Sequence, residues 1–309
     1  MESNLERNQR QESASQTMKL VHLNFISPFR IGKGENYIDA ITVYRAFIKA
    51  YSLLGYDISE IVDDAKVKFS SLFPMNQGRL ILRSPVKIVE CNDRRIEKTI
   101  KGASFIDFEV LKSAVLPLKV SCDGNQGIKI EGVKDQVNVV RGVISMSGEV
   151  HVRSFQATQF NAFIDRPTNS AVPFSITSFF LEDGGILVSG WNRRVESALS
   201  LLSETGFGGK RSIGFGKFKL IKVEEFQNFR LRMRNPSQEW KYLTGRGFTE
   251  GEFIAERLDK VNGISGDVNP VLLPVMGLLP AGSLLRKSER VVKWIARDNV
   301  LVIDPITLG

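Results

Sequence analysis

The segment 206-GFGGKRSIGFGKF-218 carries the densest functional signal in the chain. It places five glycines within eleven residues, from Gly206 to Gly216, and interleaves them with cations, a hydroxyl and phenylalanines. Glycine lets a ligand approach main-chain N–H groups, which can cradle phosphate oxygens. We therefore predict a phosphate-contacting loop. The alternative is a glycine turn between a helix and a strand, with solvated cations.

Two familiar phosphate-binding loops do not fit this segment. A Walker A loop requires G-x-x-x-x-G-K-[ST] between a strand and a helix, whereas Gly209 and Lys210 are followed by Arg211 and the segment follows a predicted helix. A dinucleotide fingerprint, G-x-G-x-x-G, would need a glycine where Arg211 stands. The sequence therefore gives no support to a nucleotide cofactor, and we predict that the protein has none.

Positive charge is concentrated around the same segment. The whole chain has 42 Lys plus Arg against 34 Asp plus Glu, a formal net charge of +8. Between Thr205 and Arg246, ten cations stand against three anions, so this stretch alone carries +7. The cations are Lys210, Arg211, Lys217, Lys219, Lys222, Arg230, Arg232, Arg234, Lys241 and Arg246. A localised basic stretch with interspersed aromatic residues is typical of a polyanion binder, and a solvated mixed surface is the alternative.

Length and composition indicate a soluble globular protein. A chain of 309 residues with 42% hydrophobic and 25% charged residues is expected to form about two domains. No span of about 20 apolar residues is present, so no transmembrane helix is predicted. Residues 1–17 are polar, lack the apolar core of a secretory signal and are predicted to be a disordered leader. We expect a cytoplasmic protein without membrane contact.

Histidine and cysteine are too scarce for most metal centres. The chain has two of each, His22 and His151, Cys91 and Cys122. A histidine- or thiolate-rich zinc or iron site needs several such ligands in one place, so we predict no metal. The cysteines form no C-x-x-C pair and no disulfide framework, and a reducing compartment is the default expectation.

Hydrophobic periodicity predicts alternating strands and helices. One helix follows Asn36, which can cap it with Asp39 as a partner, and ends at Gly55. A second runs from Trp191 to Gly206. Strands or hairpins are predicted at Lys19–Ile26, Arg79–Val89, Ala103–Leu111, Ala114–Gly148, Gly148–Phe160, Val172–Phe180, Ile186–Ser189, Phe215–Val223, Gln227–Arg234 and Lys287–Ile303. A helix is expected at Glu250–Val261. The mixed order favours an α+β fold with largely antiparallel sheets.

Four segments resemble a known family. Gly208–Phe218 resembles the glycine-rich signature of the RAMP proteins of CRISPR effector complexes, and Asn161–Thr168 resembles an I-D-R-x-T segment of type III RAMPs. Phe25–Gly32 and Pro280–Leu284 resemble the opening and a late A-G-S element of the fourth Csm subunit, of the Cas-five group. The resemblance extends from about Met18 to Leu285. A backbone RAMP subunit is the nearest alternative.

The resemblance implies both fold and function. It implies two ferredoxin-like (RRM-like) domains, which we place at 18–140 and 141–309, with the glycine-rich loop at 206–216 after the last helix of the second. It also implies a non-catalytic, RNA-binding subunit of a type III-A complex in antiviral defence. Such a subunit binds the 5′ handle of the CRISPR RNA (crRNA) and joins the large polymerase/cyclase-type subunit to the first backbone RAMP subunit.

Site residues follow from the motifs and their charges. The predicted handle contacts in the loop are Gly208, Gly209, Lys210, Arg211, Ser212, Gly214, Phe215 and Gly216. Main-chain N–H groups and the Ser212 hydroxyl would meet phosphates, Lys210 and Arg211 would add charge, and Phe207 or Phe215 would stack on a base. Other candidate contacts are Arg30, Lys33, Arg153, Asp165 and Arg166.

Several of these candidates have a plain structural alternative. Asp165 either orients Arg166 towards RNA or forms a local ion pair that locks a turn. Arg30 and Lys33 either reach a phosphate or are solvated. A metal-independent endoribonuclease that processes precursor crRNA is the enzyme alternative, and it would need a general base such as one of the two histidines.

Overall fold

The computed structural model describes residues 18–31, 37–123, 127–146, 148–235, 239–265, 271–296 and 299–309. The predicted leader, Lys33 and Asn36 lie outside these residues. The helices are α1 (Ala40–Leu53), α2 (Ser59–Val62), α3 (Arg94–Gly102), α4 (Phe108–Ser113) and α5 (Arg193–Thr205). The strands of the first half are β1 (Met18–Phe25), β2 (Lys68–Phe69), β3 (Phe73–Asn76), β4 (Arg79–Arg83), β5 (Lys87–Cys91), β6 (Phe105–Asp107), β7 (Val115–Leu116), β8 (Leu118–Asp123), β9 (Gly127–Ile130), β10 (Asn138–Val140) and β11 (Val143–Ser145). Those of the second half are β12 (Ser154–Asp165), β13 (Ser170–Leu181), β14 (Asp183–Ser189), β15 (Phe218–Phe226), β16 (Arg232–Met233), β17 (Lys241–Leu243), β18 (Phe253–Ile254), β19 (Asp259–Ser265), β20 (Val271–Leu278), β21 (Leu284–Leu285), β22 (Val291–Ala296), β23 (Asn299–Ile303) and β24 (Thr307–Leu308).

A ferredoxin-like unit is assembled from distant parts of the chain. β1 lies between β15 and β14, and β14 continues to β2 and β3, with every one of these pairs antiparallel. With α1 after β1 and α5 after β14, the order is β-α-β-β-α-β. The predicted α+β class is confirmed.

Strands from both sides of the predicted domain boundary, between residues 140 and 141, share one sheet, and the boundary itself stays a prediction. β1 pairs along its whole length with β14 and β15, so the ferredoxin-like unit joins residues 18–76 to residues 183–226. The expectation of two consecutive ferredoxin-like domains stays a prediction, because strand periodicity indicates that a strand exists but not which remote strand it pairs with.

The two helices of this unit bury the faces that the sequence predicts. In α1 the buried residues include Ile41, Tyr44, Phe47 and Tyr51 at helical spacing. Asp39, not Asn36, is the N-cap, because its carboxylate accepts the backbone N–H of Ile41 at 3.2 Å. In α5 the buried face is Val195, Ala198, Leu199 and Leu202, and Asn192 caps its start. Both helices pack into one hydrophobic cluster with β1 and β14.

A second hydrophobic cluster supports much of the rest of the fold. The main sheet continues from β3 through β4 and β6 to β11 and β10, and a separate three-stranded sheet has the order β5-β8-β9. A four-stranded sheet of order β18-β21-β17-β24 brings the C-terminal strands against this cluster. Three two-stranded hairpins, β12–β13, β19–β20 and β22–β23, and a two-stranded parallel pair, β7–β16, complete the described fold.

Two local expectations need correction. The helix expected at Glu250–Val261 is wrong: Phe253 and Ile254 pair with β21, and β19 begins at Asp259. The strand expected at Ala103–Leu111 ends at Asp107, whose carboxylate caps α4 instead. At Phe253 and Ile254, pairing with a distant strand outweighs the side-chain pattern. At Asp107, the capping of a new helix does so.

The two cysteines are paired, contrary to the sequence expectation. Cys91 in β5 lies directly opposite Cys122 in β8, with 4.9 Å between their Cα atoms, and the two form a disulfide. Their residue separation of 31 hides this proximity in the sequence. Both side chains belong to the second hydrophobic cluster.

No helix within the described ranges is long and apolar enough to cross a membrane.

Candidate nucleic-acid interface

The glycine-rich loop connects the end of α5 to the start of β15. Gly206 adopts a left-handed φ of 80° and its N–H donates to the Leu202 carbonyl at 2.7 Å, which closes the helix. The two ends of the loop are then joined, because the Phe207 N–H donates to the Gly216 carbonyl at 3.0 Å. The loop is thus a closed excursion with a tip at residues 209–214.

The turn after β1 binds to this loop from a position about 180 residues earlier in the chain. The Gly209 N–H donates to the Arg30 carbonyl and the Gly216 N–H to the Pro28 carbonyl, both at 2.8 Å. The Lys217 N–H donates to the Ser27 hydroxyl at 2.8 Å. Two motifs that the sequence treats separately therefore form one structural unit, which places the exposed Arg30 side chain beside the loop.

The base of the β12–β13 hairpin joins this unit as a third segment. Phe29 and Phe179 exchange backbone hydrogen bonds of 2.7 and 2.8 Å. Their rings, 6.3 Å apart, continue an aromatic group that includes Phe25, 5.3 Å from Phe29. The first turn is consequently held between the hairpin base and the glycine-rich loop. Ser27, Phe29 and Phe179 are structural members of the site that the sequence did not reveal.

Several glycines are required by chain packing. A Cβ on Gly208 would lie 2.3 Å from the Arg30 carbonyl oxygen, and one on Gly216 would lie 2.0 Å from that of Phe207. Both residues also have φ near +80°. The N–H groups of Gly209 and Gly216 are used within the protein, so they are not available to a phosphate in this arrangement.

The phenylalanines of the loop face the core. Phe207 is fully buried and stacks on Phe218 at 5.0 Å, and Phe215 is 7% exposed. The expected stacking of a base on Phe207 or Phe215 therefore has no geometric support, since neither ring presents a face to solvent.

The tip of the loop is cationic and open. Lys210 is exposed and holds a left-handed φ of 63°, and it leads into a short 3-10 helix, Arg211–Ile213. Ser212 is exposed and Arg211 is half-buried. Among the described residues, none forms an ion pair with Lys210 or Arg211. The tip thus keeps the charge and the hydroxyl that phosphate binding requires.

Part of the predicted basic stretch is neutralised inside the protein. Lys222 pairs with Glu224, Arg234 pairs with Glu131 at 2.8 Å, and Arg246 lies 3.0 Å from Asp259. The cations of the stretch that form no ion pair with a described residue are Lys210, Arg211, Lys217, Lys219, Arg230, Arg232 and Lys241. The available positive charge is therefore the loop tip, the start of β15 and the segment around β16 and β17.

The I-D-R-x-T segment lies at the tip of the β12–β13 hairpin. Asp165 accepts a hydrogen bond of 2.5 Å from the Thr168 hydroxyl, and Arg166 is exposed in the turn. The turn is thus locked by Asp165 and Thr168. Arg153, at the hairpin base, forms an exposed ion pair of 3.3 Å with Glu182.

The two histidines lie apart from the loop tip. His22 Nε2 is 2.6 Å from Glu224 Oε1, and Glu224 also bonds Lys222. The hydrogen bonds from Lys222 and His22 lower the pKa of the Glu224 carboxyl. His151 is exposed and lies 3.0 Å from Glu149. In the residues that the structure describes, no cluster of His, Cys, Asp or Glu could hold a metal ion.

Comparison with known proteins identifies the fold. No protein-family model matches the chain, and no curated protein matches it in sequence. A chain of a Csm3–Csm4 subcomplex in the type III-A CRISPR-Cas interference complex matches with a TM-score of 0.56 at 14% identity, covering 94% of this chain and 98% of that chain. Csm1–Csm4 cassettes in complex with cA4 and with pppApA give TM-scores of 0.54 and 0.52 at 12% and 13% identity, each covering 94% of this chain and 97% of the other.

These similarities establish a shared fold over nearly the whole length of both chains. Csm4 is the component common to the three complexes. The resemblance to a Csm4-like RAMP, first indicated by the glycine-rich loop, is confirmed at the level of the fold.

Proposed function

We propose that this chain is the Csm4-like subunit of a type III CRISPR effector complex, and that it binds the 5′ handle of the crRNA. The observation that carries the proposal is the union of the first turn and the glycine-rich loop, which presents Arg30, Lys210, Arg211 and Ser212 together on a Csm4-like fold. Unpaired cations and a hydroxyl at an exposed tip suit contacts to successive phosphates.

The proposed partners follow from the same fold. The similar chains come from complexes with Csm3 and with Csm1. By analogy, this subunit would join a large polymerase/cyclase-type subunit to the first backbone RAMP subunit, in a cytoplasmic antiviral complex. In this role the chain is a binding subunit, and cleavage belongs to its neighbours.

The binding experiment compares two double variants. Lys210→Ala/Arg211→Ala removes the free charge at the loop tip, whereas Lys66→Ala/Lys287→Ala removes two exposed cations that already pair with Asp64 and Glu289. Affinity for repeat-derived RNA is measured by fluorescence anisotropy from 0.05 to 0.2 M salt.

Loss of two phosphate contacts on single-stranded RNA should lower the salt slope by about 1.4 and weaken binding by about 15-fold at 0.15 M salt. The control should change neither by a comparable amount. Equal behaviour of the two variants would show that the loop tip does not contact RNA. Co-purification with subunits of a type III complex tests the bridging role separately.

The endoribonuclease alternative rests on one arrangement, the hydrogen bond between His22 and Glu224 beside Lys222. A histidine held by a carboxylate can act as a general base. Incubation of the wild-type protein with repeat RNA tests it: site-specific cleavage that is lost in His22→Ala would replace the binding role with an enzymatic one.

A further inference from the structure

Arg83, at the end of β4, holds its guanidinium against two aromatic rings. The guanidinium carbon lies 5.4 Å from the ring centroid of Tyr37 and 5.0 Å from that of Phe105. A guanidinium that stacks on rings keeps the N–H groups of its edge free to donate. Among the described residues, none accepts a hydrogen bond from this side chain or forms an ion pair with it. The donors of Arg83 are therefore held in place without an acceptor in the described part of the chain.

Another arginine of the same protein shows this arrangement with its acceptor present. Arg194 lies over the ring of Tyr56 at 5.6 Å, and its guanidinium also bonds the carboxylate of Glu60. Stacking on a ring thus combines with an anionic acceptor at Arg194. At Arg83 the rings are in place, but the described residues supply no such acceptor. This difference indicates that an anion from outside the chain completes the site.

The backbone of Arg83 is fixed by β17 and by the late A-G-S element. The Tyr242 hydroxyl donates to the Arg83 carbonyl at 2.5 Å. A Cβ on Gly282 would lie 3.3 Å from the Arg83 Cβ and 2.8 Å from the Ser84 carbonyl oxygen. Gly282 also has a φ of +93°, so the close approach of this turn requires a glycine. The A-G-S element, which the loop tip does not use, therefore helps to position Arg83.

Lys87, the first residue of β5, places a second cation near Arg83. Its ammonium donates to the carbonyl of Ala103. Burial lowers the pKa of the Lys87 ammonium, the charge of Glu256 raises it, and the charge of Arg83 lowers it again. Among the described residues, no carboxylate forms an ion pair with either cation. Two like charges are thus kept together in a partly desolvated place, at a cost that a bound anion would remove.

The surroundings of the two cations favour a phosphate over the carboxylate of a protein partner. Protein interfaces concentrate aromatic and other apolar side chains at their centres. Here Tyr37 is buried, Phe105 is half-buried, and both rings contact Arg83. Ile88 is exposed, but strand alternation places it on the opposite face of β5 from Lys87. A phosphodiester requires only charged or polar donors of the kind that Arg83 and Lys87 present.

We propose that Arg83 and Lys87 form a site for one phosphate of a single-stranded RNA. The edge of the Arg83 guanidinium donates to the non-bridging oxygens, and Lys87 adds the second charge. The site adds a contact at the turn between β4 and β5 to those of the loop tip. It reads no base, because both side chains address the backbone of the strand. The identity of the strand rests on the proposed function.

The first test compares two double variants in the salt series used for the loop tip, with repeat-derived RNA. Arg83→Gln/Lys87→Gln removes both charges and keeps polar side chains of similar length. Loss of one phosphate contact should lower the salt slope by about 0.7 and weaken binding about 4-fold at 0.15 M salt. The control, Arg194→Gln/Lys119→Gln, removes an arginine stacked on a ring and a half-buried lysine, which already pair with Glu60 and Glu90. It should change neither quantity by a comparable amount.

A methylphosphonate scan of the RNA identifies the phosphate. At one position, the neutral methylphosphonate should weaken binding by the wild-type protein by the same factor. It should have no further effect on Arg83→Gln/Lys87→Gln, because the two changes remove one contact. Its effect should persist in Lys210→Ala/Arg211→Ala, because the loop tip contacts other phosphates. Each comparison uses two RNAs on one protein, so the cycle holds even where a substitution lowers stability.

Unchanged affinity and slope in Arg83→Gln/Lys87→Gln, an equal loss in the control, or additive effects at every phosphate would overturn the proposal. Intact RNA binding with lost co-purification of a type III subunit would assign the two cations to a protein carboxylate, and would overturn it too. A wild-type protein that binds no repeat RNA would contradict the proposed function as well. Wild-type RNA binding that Arg83→Gln/Lys87→Gln leaves unchanged would contradict this inference alone.

Discussion

Substitution of two glycines in one loop separates the effect of a close backbone contact from the effect of backbone strain. Gly208 and Gly214 both have left-handed backbone angles, with φ of +80° and +91°. Alanine is disfavoured in that region at either position by about 1–2 kcal/mol. The surroundings differ, because a Cβ at Gly208 would lie 2.3 Å from the Arg30 carbonyl oxygen, whereas nothing lies within 4 Å of one at Gly214.

The structure sets the size of the expected difference. Gly208→Ala must push the loop away from the first turn and strain or break the 2.8 Å hydrogen bond from Gly209 to Arg30, a loss of about 1 kcal/mol. Added to the backbone term, this gives a destabilisation of roughly 2–3 kcal/mol, with any displacement of the aromatic group in addition. Gly214→Ala should cost the backbone term alone, about 1–2 kcal/mol.

Urea denaturation at a fixed pH measures both variants, with the free energy of unfolding taken from the midpoint at constant m-value. Below the transition, Gly208→Ala should also bind repeat RNA more weakly, since the loop tip has moved. If Gly208→Ala is no more destabilising than Gly214→Ala, the close contact between loop and first turn is not part of the folded protein. The first turn would then not hold the loop in place, and Arg30 would not be fixed beside the loop tip.

Three other perturbations test separate parts of the fold. Reduction of the disulfide, or Cys91→Ser, should lower the free energy of unfolding by about 3–4 kcal/mol, because the loop between Cys91 and Cys122 is no longer closed. Urea titration with and without dithiothreitol measures this change. Equal midpoints would contradict the presence of the disulfide. The pKa of Glu224 is depressed, so its carboxylate contributes stability above the ordinary carboxyl range and loses it as pH falls through the folded-state pKa. Glu224→Gln should therefore flatten the acid limb of a melting-temperature profile between pH 5 and pH 3. Parallel profiles for the wild type and the variant would refute this. Arg246→Ala leaves the buried Asp39 carboxylate without its neighbouring guanidinium, 3.9 Å away. The free energy of unfolding in the same urea assay should fall by about 3 kcal/mol or more. A fall below about 1 kcal/mol would show that hydrogen bonds alone hold Asp39.

Local patterns were sufficient to predict most individual elements. The helix α1, the closing glycine of α5, and the strands around residues 18–26 and 218–226 depend on residues that are close in sequence. Their partners depend on contacts across most of the chain. β1 pairs with strands about 160 and 200 residues away. Hydrophobic periodicity within a segment does not indicate which remote strand that segment pairs with. For this reason the sequence could not predict that strands from both halves of the chain share one sheet.

The candidate site shows the same division at the scale of single residues. The charge of Lys210 and Arg211 could be anticipated from composition. The burial of Phe207 and Phe215 could not be anticipated, because a phenylalanine between glycines gives the same sequence pattern whether its ring faces solvent or the core. The disulfide between Cys91 and Cys122 was missed because its geometry arises from two parallel strands whose pairing is not local.

Several glycines of the loop are required by backbone packing within the protein. Their number is therefore not in itself a signal of RNA contact. Gly206, Gly208 and Gly216 each bring a backbone within contact distance of another backbone, so replacement of any of them would disturb the loop without reference to RNA. The glycines thus build a rigid support in which the first turn, the hairpin base and the end of α5 meet. The support fixes Arg30 next to Lys210 and Arg211, and preorganised cations lose less conformational entropy on binding a backbone than cations on a free loop. The functional signal therefore resides in the few unpaired cations at the tip, and the glycines act by positioning them.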